Sequence, residues 1–304
     1  MLDPGKRIYA AGSGGMLGEG FHDVLAEKHE LRCTDIDVND DWLAFLDFRD
    51  FDAYRREVAD FRPDYLFHLG AHTSLEFCEQ HPEEAYSTNT LAVENAVHIA
   101  NELDIPLLYI STAGIFDGAQ DTYDDWEQPR PLGHYARSKY MGERFVAENC
   151  RKHLVCRAGW MMGGGPPKDK KFIQKLMAQL KSGATELFVV NDKLGTPTYT
   201  IDFARNVELL LSNGYWGVYN MVCSGVTSRA EVARYLVNAV GLGNQVTITE
   251  VPSDHFAVEY FAPRPASERL LTTKLDLRNL NVMRDWRVAL DDYLTQRYAD
   301  YLER

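Results

Sequence analysis

The segment Tyr135-Ala-Arg-Ser-Lys139 sets a phenol and an ammonium four residues apart. On a helix that spacing brings both to one side. A free tyrosine, with a pKa near ~10, exchanges protons poorly at neutral pH. A lysine cation beside it favours the phenolate and draws the group toward the working range. Ser111 or Thr112, at the end of an apolar run, offers a hydroxyl to the same place. Together these groups would hold a carbonyl oxygen and deliver a proton to it as it becomes an alkoxide. A Tyr-x-x-x-Lys pair also occurs on ordinary amphipathic helices, so its meaning depends on what lies upstream.

Upstream stands Gly12-Ser-Gly14-Gly15-Met16-Leu17-Gly18, directly after the apolar run Ile8 to Ala11. Gly12-x-x-Gly15-x-x-Gly18 has the spacing of a dinucleotide-binding turn. In such a turn Gly12 permits the tight bend, Gly15 lets the backbone approach a pyrophosphate, and Gly18 lets the helix pack closely. The helix that opens at Met16 and Leu17 offers free N–H groups to phosphates. Asp35 lies 23 residues beyond Gly12, near the roughly 20 expected of an acid that binds the adenosine ribose. A carboxylate there accepts hydrogen bonds from a ribose diol and repels a 2′-phosphate. NAD(H) or NADP(H) is therefore the expected cofactor, with NAD(H) favoured.

These groups need a scaffold. Strand patterns at 31–34, 64–69, 107–110 and 153–157 alternate with helical patterns at about 51–61, 82–102 and 134–149. That alternation predicts an α/β fold, a Rossmann-type doubly wound parallel sheet covered on both faces. Ligands of such sheets sit beyond the carboxyl ends of the strands. The glycine turn, Asp35, Gly70-Ala71-His72-Thr73 and Ser111-Thr112 then share one edge. Residues 1–160 are expected to form mainly the dinucleotide-binding core, with part of 185–225 returning to it. Residues 161–184 and 226–304 are expected to form mainly a smaller mixed α/β substrate lobe, the whole chain being a single unit.

Composition narrows the partners. At 304 residues and 45% hydrophobic, the chain can bury a large core. A net charge of −13 argues against nucleic acid and anionic membrane. No apolar run approaches the length of a membrane span, and the first residues do not read as a signal peptide. Five scattered cysteines without a C-x-x-C pair read as free thiols of a cytoplasmic protein. The histidines and carboxylates show no metal-ligand spacing, and no metal residues are assigned. His72 reads as a structural, hydrogen-bonded residue, and Trp126, Trp216 and Trp286 as packing.

Over nearly its whole length the chain resembles the dTDP-4-dehydrorhamnose reductase family of the extended short-chain dehydrogenase/reductases. The resemblance is carried by the glycine turn, Gly70-Ala-His-Thr73, Asn89-Thr90 and Ser111-Thr-Ala-Gly-Ile-Phe-Asp-Gly118. It continues through Tyr135 to Glu143, Arg157-Ala-Gly-Trp160, Val190 to Thr198, and Arg264-Pro265. It implies that Thr112, Tyr135 and Lys139 are catalytic, with Tyr135 and Lys139 also touching the cofactor. Asp47 and Phe48 would lie beside the adenine, and Gly70, Ala71 and Thr73 would line the cofactor site. Asn89, Trp160 and Arg264 would face the substrate, a nucleotide-linked 4-keto-6-deoxy sugar. The resemblance also admits a homodimer.

Four positions depart from the family pattern. Ala113 and Gly114 replace an Asp and a Tyr, Lys193 stands where Gln is common, and Glu268 stands where Ser is common. Two other functions share the scaffold. One is an epimerase or dehydratase that retains its NAD. The other is a regulatory subunit without turnover, like the beta subunit of methionine adenosyltransferase.

Overall fold

The computed structural model describes residues 2–303. Its first six strands are β1 (Arg7–Ala11), β2 (Glu30–Asp35), β3 (Leu43–Phe45), β4 (Tyr65–His68), β5 (Leu107–Thr112) and β6 (His153–Ala158). They join β11 (Gly217–Asn220) in one sheet of order β11-β6-β5-β4-β1-β2-β3, every neighbouring pair parallel. This is the doubly wound α/β sheet expected from the alternation of strands and helices. The order reverses between β1 and β4, so the loops leaving these strands part at a topological switch point.

Strand side chains alternate between two cores. Tyr9, Ala11, Leu66, Leu107, Tyr109 and Val155 face α2 (Phe51–Phe61), α5 (Ala92–Leu103) and α6 (His134–Asn149). Ile8, Ala10, Phe67, Leu108, Ile110 and Leu154 face the other way, toward α1 (Met16–Leu25) and α9 (Thr200–Ser212). The second core runs without a break into α8 (Phe172–Lys181), α10 (Arg229–Ala239) and α12 (Trp286–Tyr298). One continuous apolar body thus ties the smaller lobe to the sheet. The segments that return to the sheet layer are α9, which packs on α1, and β11.

Three small sheets shape the lobe. β7 (Trp160–Met162) pairs with β10 (Pro197–Tyr199), and β8 (Glu186–Val190) with β13 (Thr247–Val251). β9 (Leu194–Gly195) lies between β12 (Thr227–Ser228) and β14 (Ser267–Glu268). Two- and three-residue strands carry too little periodicity to read from sequence. α11 (Thr273–Leu277) packs on β11, and α7 (Gly165–Lys168) on α12.

The expected helix 82–102 is interrupted. It consists of α4 (Pro82–Tyr86), a π-helical turn over Ser87–Leu91, and then α5; the short α3 (Leu75–Gln80) precedes it. Ser, Thr and Asn favour side-chain bonds over regular helix, and these go to α6. Thr90 Oγ1 donates to the Ser138 carbonyl at 2.8 Å, and Asn89 Nδ2 donates to Ser138 Oγ at 3.1 Å. Trp286 is buried as expected, whereas Trp126 is 62% exposed and corrects the packing role expected of it. All five cysteines are free and buried. Among the described residues no helix is long and apolar enough to cross a membrane, and no cluster of metal-binding side chains occurs.

Candidate active site

The buried face of α6 is polar: Ser138, Lys139 and Glu143 lie on it beside Ala136, Gly142 and Val146. Burying such groups is costly unless each is paired. Glu143 takes a double hydrogen bond from Arg157, with a closest approach of 2.6 Å and both side chains almost fully buried. Ser138 is held by Asn89 and by the Tyr135 carbonyl. The helix lacks a side-chain cap at Gly133. Glu79 Oε1 accepts the His134 N–H instead, placing a carboxylate at the positive end of α6.

Lys139 is the exception. It is 4% exposed, and its Nζ lies 4.3 Å from the centre of the Tyr109 ring. Among the described residues that nitrogen makes no hydrogen bond or ion pair. Burial lowers its pKa to about 7, against the upward pull of Glu143. One turn earlier, Tyr135 is raised to about 12 by burial, and the Thr112 hydroxyl facing the phenol works against that rise. The expected lowering of the phenol by Lys139 is thus not met within the protein's own groups, where desolvation dominates both residues. Of the two candidate hydroxyls, Thr112 faces Tyr135. Ser111 points into the core, where its Oγ is buried without a partner.

The glycine turn lies at the switch point. Gly12 has φ +78°, and a Cβ on it would overlap the backbone of Gly70. Ser13 and Gly12 both donate to the Thr34 carbonyl. Gly18 is pressed against Ser13 of the turn itself, so its part is to close the loop onto its own helix. At Gly15, by contrast, a Cβ would meet nothing within 4 Å, and α1 begins there with no side chain capping it. Open space before uncapped N–H groups of Met16 and Leu17 fits a pyrophosphate. The orphaned Lys139 ammonium likewise fits the hydroxyls of a ribose.

The other residues expected at the cofactor are placed as follows. Asp35 Oδ2 accepts the Gly14 N–H at 2.8 Å, and its Oδ1 accepts the Asp37 N–H at 2.9 Å, so the carboxylate also braces the turn. Asp47 is folded around Arg49, 2.7 Å away, which holds its pKa below the usual range. Phe48 packs beneath Gly70 and edge-on to His68. Ala71 is half-buried in the same loop, while Thr73 receives two hydrogen bonds from Lys171 Nζ.

Across the cleft stands the lobe. Trp160 is clasped on one face by Gly195, where any side chain would overlap the indole, and on the other by the Arg229 guanidinium at 3.7 Å. Its Nε1 donates to Glu268 Oε2 at 2.8 Å. Arg264 pairs with Glu76 at 2.7 Å. Asn89 does not reach the cleft. It is fully buried, and its amide is used up by both backbone polar groups of His72 and by Ser138.

Sequence reasoning passed over Arg229 and Lys171. The Arg229 guanidinium makes no hydrogen bond or ion pair among the described residues, and burial lowers it to about 10. Lys171 is lowered by burial and by the neighbouring cations Arg229, Lys175 and Arg264. Only the fold brings these distant residues together.

A model of the RmlD substrate binding domain matches residues 6–299. The dTDP-4-dehydrorhamnose reductase of Mycolicibacterium smegmatis is 30% identical over 94% of this chain and 84% of its own. That of Escherichia coli is 28% identical over 96% and 98%. A crystal structure of the Bacillus anthracis dTDP-4-dehydrorhamnose reductase in complex with NADP superposes with a TM-score of 0.87, at 26% identity over 96% of this chain and 99% of that one. The chain belongs to the family of dTDP-4-dehydrorhamnose reductases.

Proposed function

We propose that the protein reduces the C4 keto group of a nucleotide-linked 4-keto-6-deoxy sugar with NAD(P)H. The observation that carries this reading is the meeting of Thr112, Tyr135 and Lys139 at the carboxyl edge of the sheet, opposite a lobe that presents Lys171, Arg229 and Arg264. In a chain of net charge −13, three clustered cations, one of them unpaired, suit the diphosphate of a nucleotide sugar. The cofactor, when bound, supplies the hydride. Thr112 and Tyr135 hold the sugar oxygen, and Tyr135 protonates it as charge develops there. Lys139 holds the cofactor ribose; its ammonium, once hydrogen-bonded there, favours the phenolate that Tyr135 becomes. Trp160, clamped between Gly195 and Arg229, fixes the Arg229 guanidinium and the Glu268 carboxylate at the sugar's side of the cleft.

The test is direct. Purified protein is mixed with NADH or NADPH and a dTDP-4-keto-6-deoxy sugar, dTDP-4-dehydrorhamnose first, and the reduced cofactor is followed by absorbance. A reductase consumes it stoichiometrically. Sugar conversion with the cofactor retained would mean an epimerase or dehydratase. Binding without turnover would mean a regulatory subunit.

A further inference from the structure

Two of the departures from the family pattern, at Gly114 and Glu268, meet in space. β14 lies parallel to β9, with Glu268 opposite Gly195, so Glu268 reaches the same indole that Gly195 supports. With Oε2 fixed by Trp160, Oε1 is directed at Gly114. A Cβ at Gly114 would stand 3.4 Å from Oε1, 3.5 Å from Thr112 Oγ1 and 3.8 Å from Tyr135 Cε1. Gly114 thus has no side chain where the family pattern carries a tyrosine ring, and a carboxylate oxygen borders that spot beside the proton donor. Gly114, Tyr135 and Glu268 line one small cleft.

We propose that Glu268 is a specificity-determining residue that accepts a hydrogen bond from the C3 substituent of the sugar, a hydroxyl or an amino group. The inference rests on the reductase reading of the site. Oε1, Thr112 Oγ1 and Tyr135 Cε1 all border the space above Gly114; with Thr112 and Tyr135 on the C4 oxygen, the partner of Oε1 is assigned to a carbon next to C4. In a 6-deoxy sugar the C5 side carries only a methyl group, which leaves C3 as the bearer of a donor. The bond supplies binding and orientation without any covalent step. A carboxylate that loses its partner inside a cleft destabilises the complex strongly, so a sugar without the donor is rejected.

The experiment measures kcat/KM of the full chain with three dTDP-4-keto-6-deoxy sugars, bearing hydroxyl, amino or hydrogen at C3. The wild type is expected to favour the hydroxy or amino sugar over the 3-deoxy one by at least about tenfold. Which of the two leads identifies the natural donor. Glu268→Gln keeps an oxygen for the Trp160 indole but turns an NH₂ toward Gly114, and should depress the amino sugar most. Glu268→Ser removes the group and should bring the three values close together. Tryptophan fluorescence reports whether Trp160 stays in place; if the Ser variant fails to fold, the Gln variant decides alone. Unchanged ratios in the variants, or an equal loss on all three sugars, would overturn the proposal while leaving the reductase reading intact. Turnover of none of the sugars by the wild type would remove both.

Discussion

Replacing Lys139 by Met should stabilise the protein while disabling it. The ammonium is buried against the Tyr109 ring without an ion pair, and its pKa falls from 10.5 to about 7. At ~1.4 kcal/mol per unit, the 3.5 units between those values set an upper bound of about 5 kcal/mol on the cost of the charge. Relaxation and water around the group reduce that, so about 2–3 kcal/mol is expected of Lys139→Met, whose side chain fills the same volume without charge. The pH dependence carries the sign. Below pH about 7 the lysine is charged in both folded and unfolded chains, and the full cost is present. Between about 7 and 10.5 the folded protein has released the proton that the unfolded chain still holds, so wild-type stability rises with pH. The advantage of the variant should therefore be largest at pH 6, shrink through pH 8, and nearly vanish by pH 10.5. Urea unfolding of both proteins without added nucleotide, at these three pH values, measures it. A variant less stable than wild type at pH 6, or a difference independent of pH, would refute the account of Lys139 as a strained, unpaired cation.

Three further outcomes follow from the same geometry. Gly15→Val should leave the fold cooperative, since a Cβ there meets nothing within 4 Å, yet abolish nucleotide binding in a fluorescence titration; an unchanged titration would move the pyrophosphate elsewhere. NADH should bind more tightly than NADPH, by roughly tenfold, because Asp35 stands where a 2′-phosphate would come while Arg32 is engaged by Glu57; tighter NADPH binding would show that Asp35 serves only the turn. Arg157→Met should cost about 3–5 kcal/mol in urea unfolding by leaving Glu143 buried and alone; a loss under 1 kcal/mol would mean that water reaches the pair.

The sheet was readable because its strands are short apolar runs separated by helices of ordinary period, and α6 was expected within the bounds it occupies, His134–Asn149. The glycine turn was readable for a local reason: its spacing closes Gly18 onto Ser13 a few residues before it. Of the lobe only the longer elements, such as α8, α10 and β8, follow local sequence patterns; strands such as Leu194–Gly195 take their place from partners far along the chain. α12 did carry a signal in the spacing of Trp286, Ala289, Leu290, Tyr293 and Leu294, all on its buried side. Asn89 shows the limit of carrying a role over by motif. Its position was marked, but only the π-helical turn reveals that its amide is spent on His72 and Ser138. The protonation of the site was also hidden, because burial overturns the pairwise expectation for Tyr135 and Lys139.

The central claim, that Tyr135 is the proton donor, is tested most directly by Tyr135→Phe. The change removes one oxygen and leaves the ring, the helix and Lys139 in place. Steady-state consumption of reduced cofactor on the dTDP-4-keto-6-deoxy sugar that the wild type reduces should fall by about 10²–10⁴-fold, with the cofactor dissociation constant changed by less than about threefold. Full activity in that variant on a sugar that the wild type reduces would contradict the assignment of the site.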